Sequence, residues 1–362
     1  MKILTKMLIA IMLSSGLLCL PIKAEAGIDF GNLAGAIISS SIQRVQIDRM
    51  VKYYENDGRE EIFSALKDTY AAKEDAGMNE MLGDVVERVS IAIARHDISI
   101  IDKPYNYLVV PDKNFNAFCT MGHNIAVNEG VFSFVNMNED MVAAVVAHEM
   151  AHGQERHPVK GVKRQMNALM GRNMIASQLD GFGSFLALDI VSRHVINSGL
   201  TKPNEWEADN ISYNYIIDAD YNLGAPAAVW QKIMETEGKK DRNVIKSLLM
   251  PSTHPSPKDR RDNLSNKMTE ASGGVVTVAV DTGEIRINGQ PFMIPQKAGK
   301  DSGAVRSYLI AGNVAGLYLK GKQPETAIVE GNKLKVGSKV IVETAEGDTP
   351  ANELAVIFNN IK

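Results

Sequence analysis

The sequence predicts an α+β fold: a mainly helical domain that carries one small β-sheet, followed by a small all-β C-terminal domain. Three observations carry this expectation. Apolar residues recur at helical spacing in several segments between residues 59 and 237, and short β-prone runs cluster between Tyr105 and Val127. After Gly273-Gly274 the pattern shifts to strand-like runs throughout. The organisation this predicts is a signal peptide at 1–26, a main domain at 27–272 and a β-rich tail of unassigned role at 273–362.

At the N-terminus, Lys2 and Lys6 form a basic start and Met7 to Leu20 is almost wholly apolar. Ala24-Glu25-Ala26 then offers small residues for cleavage before Gly27. The apolar run falls short of the ~20 residues needed to cross a bilayer. The expectation is an exported protein, periplasmic if the cell has an outer membrane and otherwise secreted or on the cell surface. Cleavage leaves Cys119 as the sole cysteine, so no internal disulfide is available and packing must hold the chain together. With 45% hydrophobic and 23% charged residues, a substantial core is within reach. The net charge of -4, from 39 basic and 43 acidic residues, gives no electrostatic reason to expect nucleic acid, and that class of partner is set aside.

Helices are expected at 59–73 and 78–96, the second from Met81, Leu82, Val85, Val86, Val89 and Ile93. Tyr107–Val110, Asn116–Cys119 and Ile125–Val127 read as strands of a small sheet. The next helix starts at Asn136 or Asn138 as cap, carries Glu139 and Asp140 in its first turn, and stops at Pro158. Residues 159–200 also read as helical. Asn204 then caps a helix from Glu205 to Ile217, and another covers Pro226 to Glu237. In the tail, strands are expected at Val275–Val280, Glu284–Ile287, Val305–Ile310, Val314–Leu319 and Lys339–Thr344.

The chemistry concentrates in His148-Glu149-Met150-Ala151-His152. A spacing of four on a helix puts both imidazoles on one face, one turn apart, where they can converge on a single ion, with Glu149 beside them to take a proton from a metal-bound water. A catalytic zinc site needs a third protein ligand. Glu205 is the leading candidate, because Glu205 and Asp209 share one helix face, so one can bind metal while the other orients a ligating histidine. Spacing alone leaves Glu207 and the remaining acids open.

These residues, together with Glu205-Trp206-Glu207-Ala208-Asp209 and Thr253-His254-Pro255-Ser256-Pro257-Lys258-Asp259-Arg260, resemble the gluzincin family of metallopeptidases. That family includes the CAAX prenyl protease, the bacterial heat-shock membrane protease and a periplasmic outer-membrane quality-control protease. Asn116-Ala117-Phe118, Gly122 and Asn128-Glu129-Gly130-Val131 resemble its approach to the active-site helix, and the likeness runs from Lys52 to Leu264. The resemblance implies a zincin-like catalytic domain, one Zn2+ per chain and Glu205 as third ligand. Because the chain lacks the family's several membrane helices, it resembles the soluble exported branch. Two departures stand out: a strand-rich tail where the periplasmic relatives have helical repeats, and Gly122-His123-Asn124 where relatives often have a second glycine.

The activity so implied is zinc-dependent hydrolysis of internal peptide bonds in unfolded or misassembled exported proteins, with Glu149 as general base. Polypeptides are the expected partners, along with association with a membrane surface or envelope proteins. His254, in a loop that Arg260 anchors by ion pairing, is a candidate donor to the charge developing on the attacked carbonyl, with a plain surface turn an equal alternative. By resemblance, it can instead reach the zinc and block it. Substrate is expected to add as a strand along Ile125, Ala126 and Val127. The competing readings are a zinc-containing chaperone or adaptor that binds clients without cutting them, and a targeting role centred on the tail.

Overall fold

A computed structural model describes residues 44–45, 47–170, 201–237 and 255–362. The signal peptide at 1–26, the helical reading of 171–200 and His254 fall outside the described residues.

The apolar periodicities produce the expected first helices. Helix α1 (Arg59–Tyr70) buries Ile62 and Leu66. Helix α2 (Ala76–Ala94) buries Leu82, Val85, Val86, Val89 and Ile93, and its cap Asp75 accepts from the Met78 amide at 3.0 Å. Three strands follow: β1 (Asn106–Val110), β2 (Ala117–Thr120) and β3 (Asn124–Asn128). Alternation along them sorts the side chains. Leu108, Val110, Phe118 and Ala126 pack with Ile62 and Leu66 on one face, while Val109, Cys119, Ile125 and Val127 join the larger core on the other.

The strand order β1-β3-β2 corrects the expected substrate edge. Ile125, Ala126 and Val127 lie in the central strand, parallel to β1 and antiparallel to β2, and all three are 0% exposed. Their backbone already has a partner on both sides. Strand order is decided by contacts distant in sequence, so the adjacency of these residues to the next helices did not make them an edge.

After the short α3 (Glu129–Phe134), helix α4 (Glu139–Gln154) begins where Asn138 accepts from the Met141 amide at 3.0 Å, with Glu139 and Asp140 facing the positive end of the helix dipole. Met141, Val142, Val146 and Met150 are buried on several sides, so α4 runs through the core. Each contributes about 1.5–3 kcal/mol by leaving water. Gly153 lets the hydroxyl of Tyr105 approach and donate to the Met150 carbonyl at 2.7 Å; an added Cβ there would meet that hydroxyl at 2.3 Å.

The helix does not continue to Pro158. It stops at Gln154, the chain reverses through Arg156 at φ 54°, and α5 (His157–Met170) starts with Pro158 in its first turn. Proline there costs no hydrogen bond, so Pro158 opens a helix rather than closing one. A similar shift occurs at α6 (Lys202–Asp218), whose cap is Thr201. Pro203 falls in the first turn, and Asn204 Oδ1 accepts from the Thr201 amide at 3.2 Å and hydroxyl at 2.8 Å. Helix α6 packs along α4, followed by α7 (Ala225–Glu237) and α8 (Pro257–Ala271), the latter capped by Ser256.

The tail is not all-β. Its two three-stranded antiparallel sheets, β4 (Val276–Val278), β5 (Ile285–Ile287) and β6 (Gln290–Met293), then β7 (Ala327–Glu330), β8 (Lys333–Val336) and β9 (Lys339–Glu343), are joined by helix α9 (Gly303–Leu317), and α10 (Ala351–Ile361) ends the chain. Helix α9 replaces the strands expected at Val305–Ile310 and Val314–Leu319. Ser302 caps it by accepting from the Val305 amide at 3.1 Å, and Val305, Tyr308, Ala311 and Ala315 form a helical stripe that outweighs local β propensity. Tail residues Val276, Ile285, Val305 and Tyr308 share one buried cluster with Leu264 and Met268 of α8, and Gln46–Lys362 form one unit.

Candidate metal centre

Helix geometry aims His148 and His152 from α4 at the same point, and α6 runs alongside so that Glu205 faces them. The His148 and His152 Nε2 atoms are 3.1 Å apart. Glu205 Oε2 lies 3.4 Å from the first and Oε1 3.6 Å from the second. One ligand atom from each of the three falls within 4.8 Å of the others, close enough to bind one ion. His152 and Glu205 are 3% and 2% exposed.

The groups behind these ligands are arranged to match. Asp209, one turn beyond Glu205 on α6, accepts from Nδ1 of His148 at 3.0 Å, which turns Nε2 toward His152 and Glu205. Arg260, from α8, reaches both Glu205 and Asp209 of α6. Its Nε donates to Asp209 Oδ2 at 2.8 Å, its Nη1 to Glu205 Oε2 at 3.1 Å, and its guanidinium stacks 3.9 Å from the Trp230 ring centroid. Arg260 Nη2 also donates to Asp209 Oδ1. A buried cation thereby offsets two buried carboxylates.

Protonation follows the same groups. Burial and the Arg260 charge hold the His148 pKa down, but Asp209 and Glu205 outweigh them and raise it to about 9. Burial drives His152 well below the ordinary histidine range, with the neighbouring His148 charge adding to it. Burial pushes the Glu149 carboxyl up to about 7, against the pull of His148. Strand β2, an edge of its sheet, packs against α4.

His157, which lies outside the motifs, joins this cluster together with Glu207. His157 is 0% exposed, and its Nδ1 lies 2.8 Å from Nδ1 of His152. Glu207 accepts from His157 Nε2 at 3.0 Å, which removes it from contention as a metal ligand. A separation of five from His152 falls off the helical face, so only the reversal at Arg156 brings His157 back; Pro158, a helix-start residue, was the available signal for that break.

Two imidazoles and a carboxylate around one point form a group that could hold a metal ion, the arrangement of helix-borne two-histidine metal sites. The sequence profile of peptidase family M48 matches residues 79–268, more than half of the chain, and the chain belongs to that family. Similar proteins include the mitochondrial metalloendopeptidase OMA1 of Schizosaccharomyces pombe, 30% identical over 47% of this chain and 48% of its own. The metalloprotease LoiP of Escherichia coli is 26% identical over 47% of this chain and 66% of its own. A putative beta-barrel assembly-enhancing protease of Vibrio cholerae is 23% identical over 64% of this chain and 45% of its own. Two of these three alignments thus span about half the length of the relative. Among the described residues, no helix is long and apolar enough to cross a membrane.

Proposed function

We propose that this chain is an exported zinc metalloendopeptidase that cuts internal peptide bonds of unfolded or misassembled exported proteins. In this reading residues 27–272 form the peptidase domain and 273–362 an accessory module. The observation that carries the reading is the meeting of His148, His152 and Glu205 beside Glu149. Two neutral nitrogens and one carboxylate oxygen suit zinc with a position left for water or substrate. When bound there, zinc supplies Lewis acidity, acidifying water and polarising the scissile carbonyl.

Glu149 accepts the proton of the attacking water and returns it to the leaving amine. Asp209 and Arg260 hold His148 and Glu205 in the ligating arrangement. The outer edge of β2, Ala117–Thr120, takes the place of Ile125–Val127 as the strand along which an extended substrate pairs, which favours unfolded chains. His254 remains the proposed donor to the attacked oxygen or blocker of the metal. Replacing it by Ala lowers activity in the first case and raises it in the second. The basic start and apolar run before Ala24-Glu25-Ala26, together with likeness to beta-barrel assembly-enhancing proteases, support export and work at the cell envelope.

Mature protein and a Glu149→Gln variant, each incubated with unfolded casein, test the reading. Cleavage by the wild type alone supports it; binding without cleavage by both would favour a chaperone or adaptor.

A further inference from the structure

We infer that His157, steadied by Glu207, is a positioning residue that fixes His152 in the one tautomer able to bind metal. The inference rests on the metal reading above. To ligate through Nε2, His152 must carry its proton on Nδ1. That Nδ1 lies 2.8 Å from Nδ1 of His157, which must then be the acceptor. The remaining proton of His157 is thereby placed on Nε2, 3.0 Å from a Glu207 carboxylate oxygen that accepts it. Every donor in the chain from His152 to Glu207 meets one acceptor.

The reverse arrangement fails at its outer end. It would turn the lone pair of His157 Nε2 toward the Glu207 oxygen and put the His152 proton on the nitrogen that faces Glu205. Burial enforces the choice, because His157 is 0% exposed and no solvent can substitute for it at His152. The two ligands are therefore held differently: His148 by a carboxylate directly, His152 through an intervening imidazole. The reversal at Arg156, whose guanidinium binds both Glu55 oxygens at 2.5 Å, is what returns His157 to this position.

The test compares two substitutions of nearly equal shape, His157→Asn and His157→Leu, with Glu207→Ala as a milder third. Asn places an acceptor oxygen where Nδ1 stood; Leu does not. Zinc dissociation constants are read by competition with a chromophoric chelator, alongside thermal unfolding of the metal-free proteins. The expected result is that Leu weakens zinc binding about 10–100-fold and Asn recovers most of the loss. Glu207→Ala costs less, since its side chain is 45% exposed and water can replace it. Equal zinc affinity for the Asn and Leu variants overturns the inference, even if both unfold at lower temperature. Wild-type protein that binds no zinc removes the metal reading itself, and so is distinct from equal affinities among the variants.

Discussion

Asp209 stands between a histidine and an arginine: Oδ1 lies 3.0 Å from Nδ1 of His148, and Oδ2 accepts from Arg260 Nε at 2.8 Å. All three are buried or nearly so, and against the cost of burial the Arg260 and His148 charges keep the Asp209 carboxyl below its ordinary range. Asp209→Asn keeps the shape and removes the charge. The expected result is a loss of about 3–5 kcal/mol in folding stability, from leaving Arg260 short of a partner, and zinc binding weakened about 10–100-fold. Denaturant unfolding and chelator competition measure the two effects separately.

In the proposed reading Glu149 is the base, and its variant should separate binding from chemistry. Glu149→Gln is expected to keep zinc and lose activity by a factor on the order of 100–10,000. Burial raises the carboxyl to about 7 in the metal-free protein. A dication beside it favours the carboxylate, so the acid limb of kcat/KM lies below pH 7, and activity falls as pH drops through it. A midpoint above 7 would argue that another group is the base.

Zinc uptake should release protons. The metal-free site raises His148 to about 9, so at neutral pH a proton occupies it and must leave when the metal enters. Apparent zinc affinity therefore climbs about tenfold per pH unit from 7 toward 9 and then levels. Titration calorimetry in two buffers of different ionisation enthalpy, showing about one proton released per zinc at pH 7.5, checks the sign and the size.

The tail helix α9 makes a tight join with the loop before α7. At Gly312 an added Cβ would lie 2.0 Å from Asn222 Oδ1 and 2.1 Å from the Gly224 amide nitrogen. Asn222 in turn donates its backbone amide to Asp140 Oδ1 in the first turn of α4 at 2.9 Å. Gly312→Ala is expected to lower stability by about 1–3 kcal/mol, read from the shift in denaturation midpoint. An unchanged midpoint would mean that this contact is looser than described.

The convergence of His148, His152 and Glu205 was legible because it is written in local spacing. His148 and His152 on one helix face, and Glu205 with Asp209 on another, need only the helical repeat to be placed correctly. Arg260 was read as an anchor by ion pairing, but its partners on α6 come from the packing of α8 across the core. His157 was hidden by a different cause, a break of helix at Arg156 that spacing cannot reveal. Strand order misled the reading of Ile125–Val127, and a β-branched composition misled that of α9, where a serine cap and a buried stripe decided the outcome.

The most direct measurement is metal content of the purified mature protein, followed by casein cleavage before and after chelation. One zinc per chain, activity lost with the metal and restored by adding zinc is the predicted result. Cleavage that persists in fully demetallated protein would contradict the account.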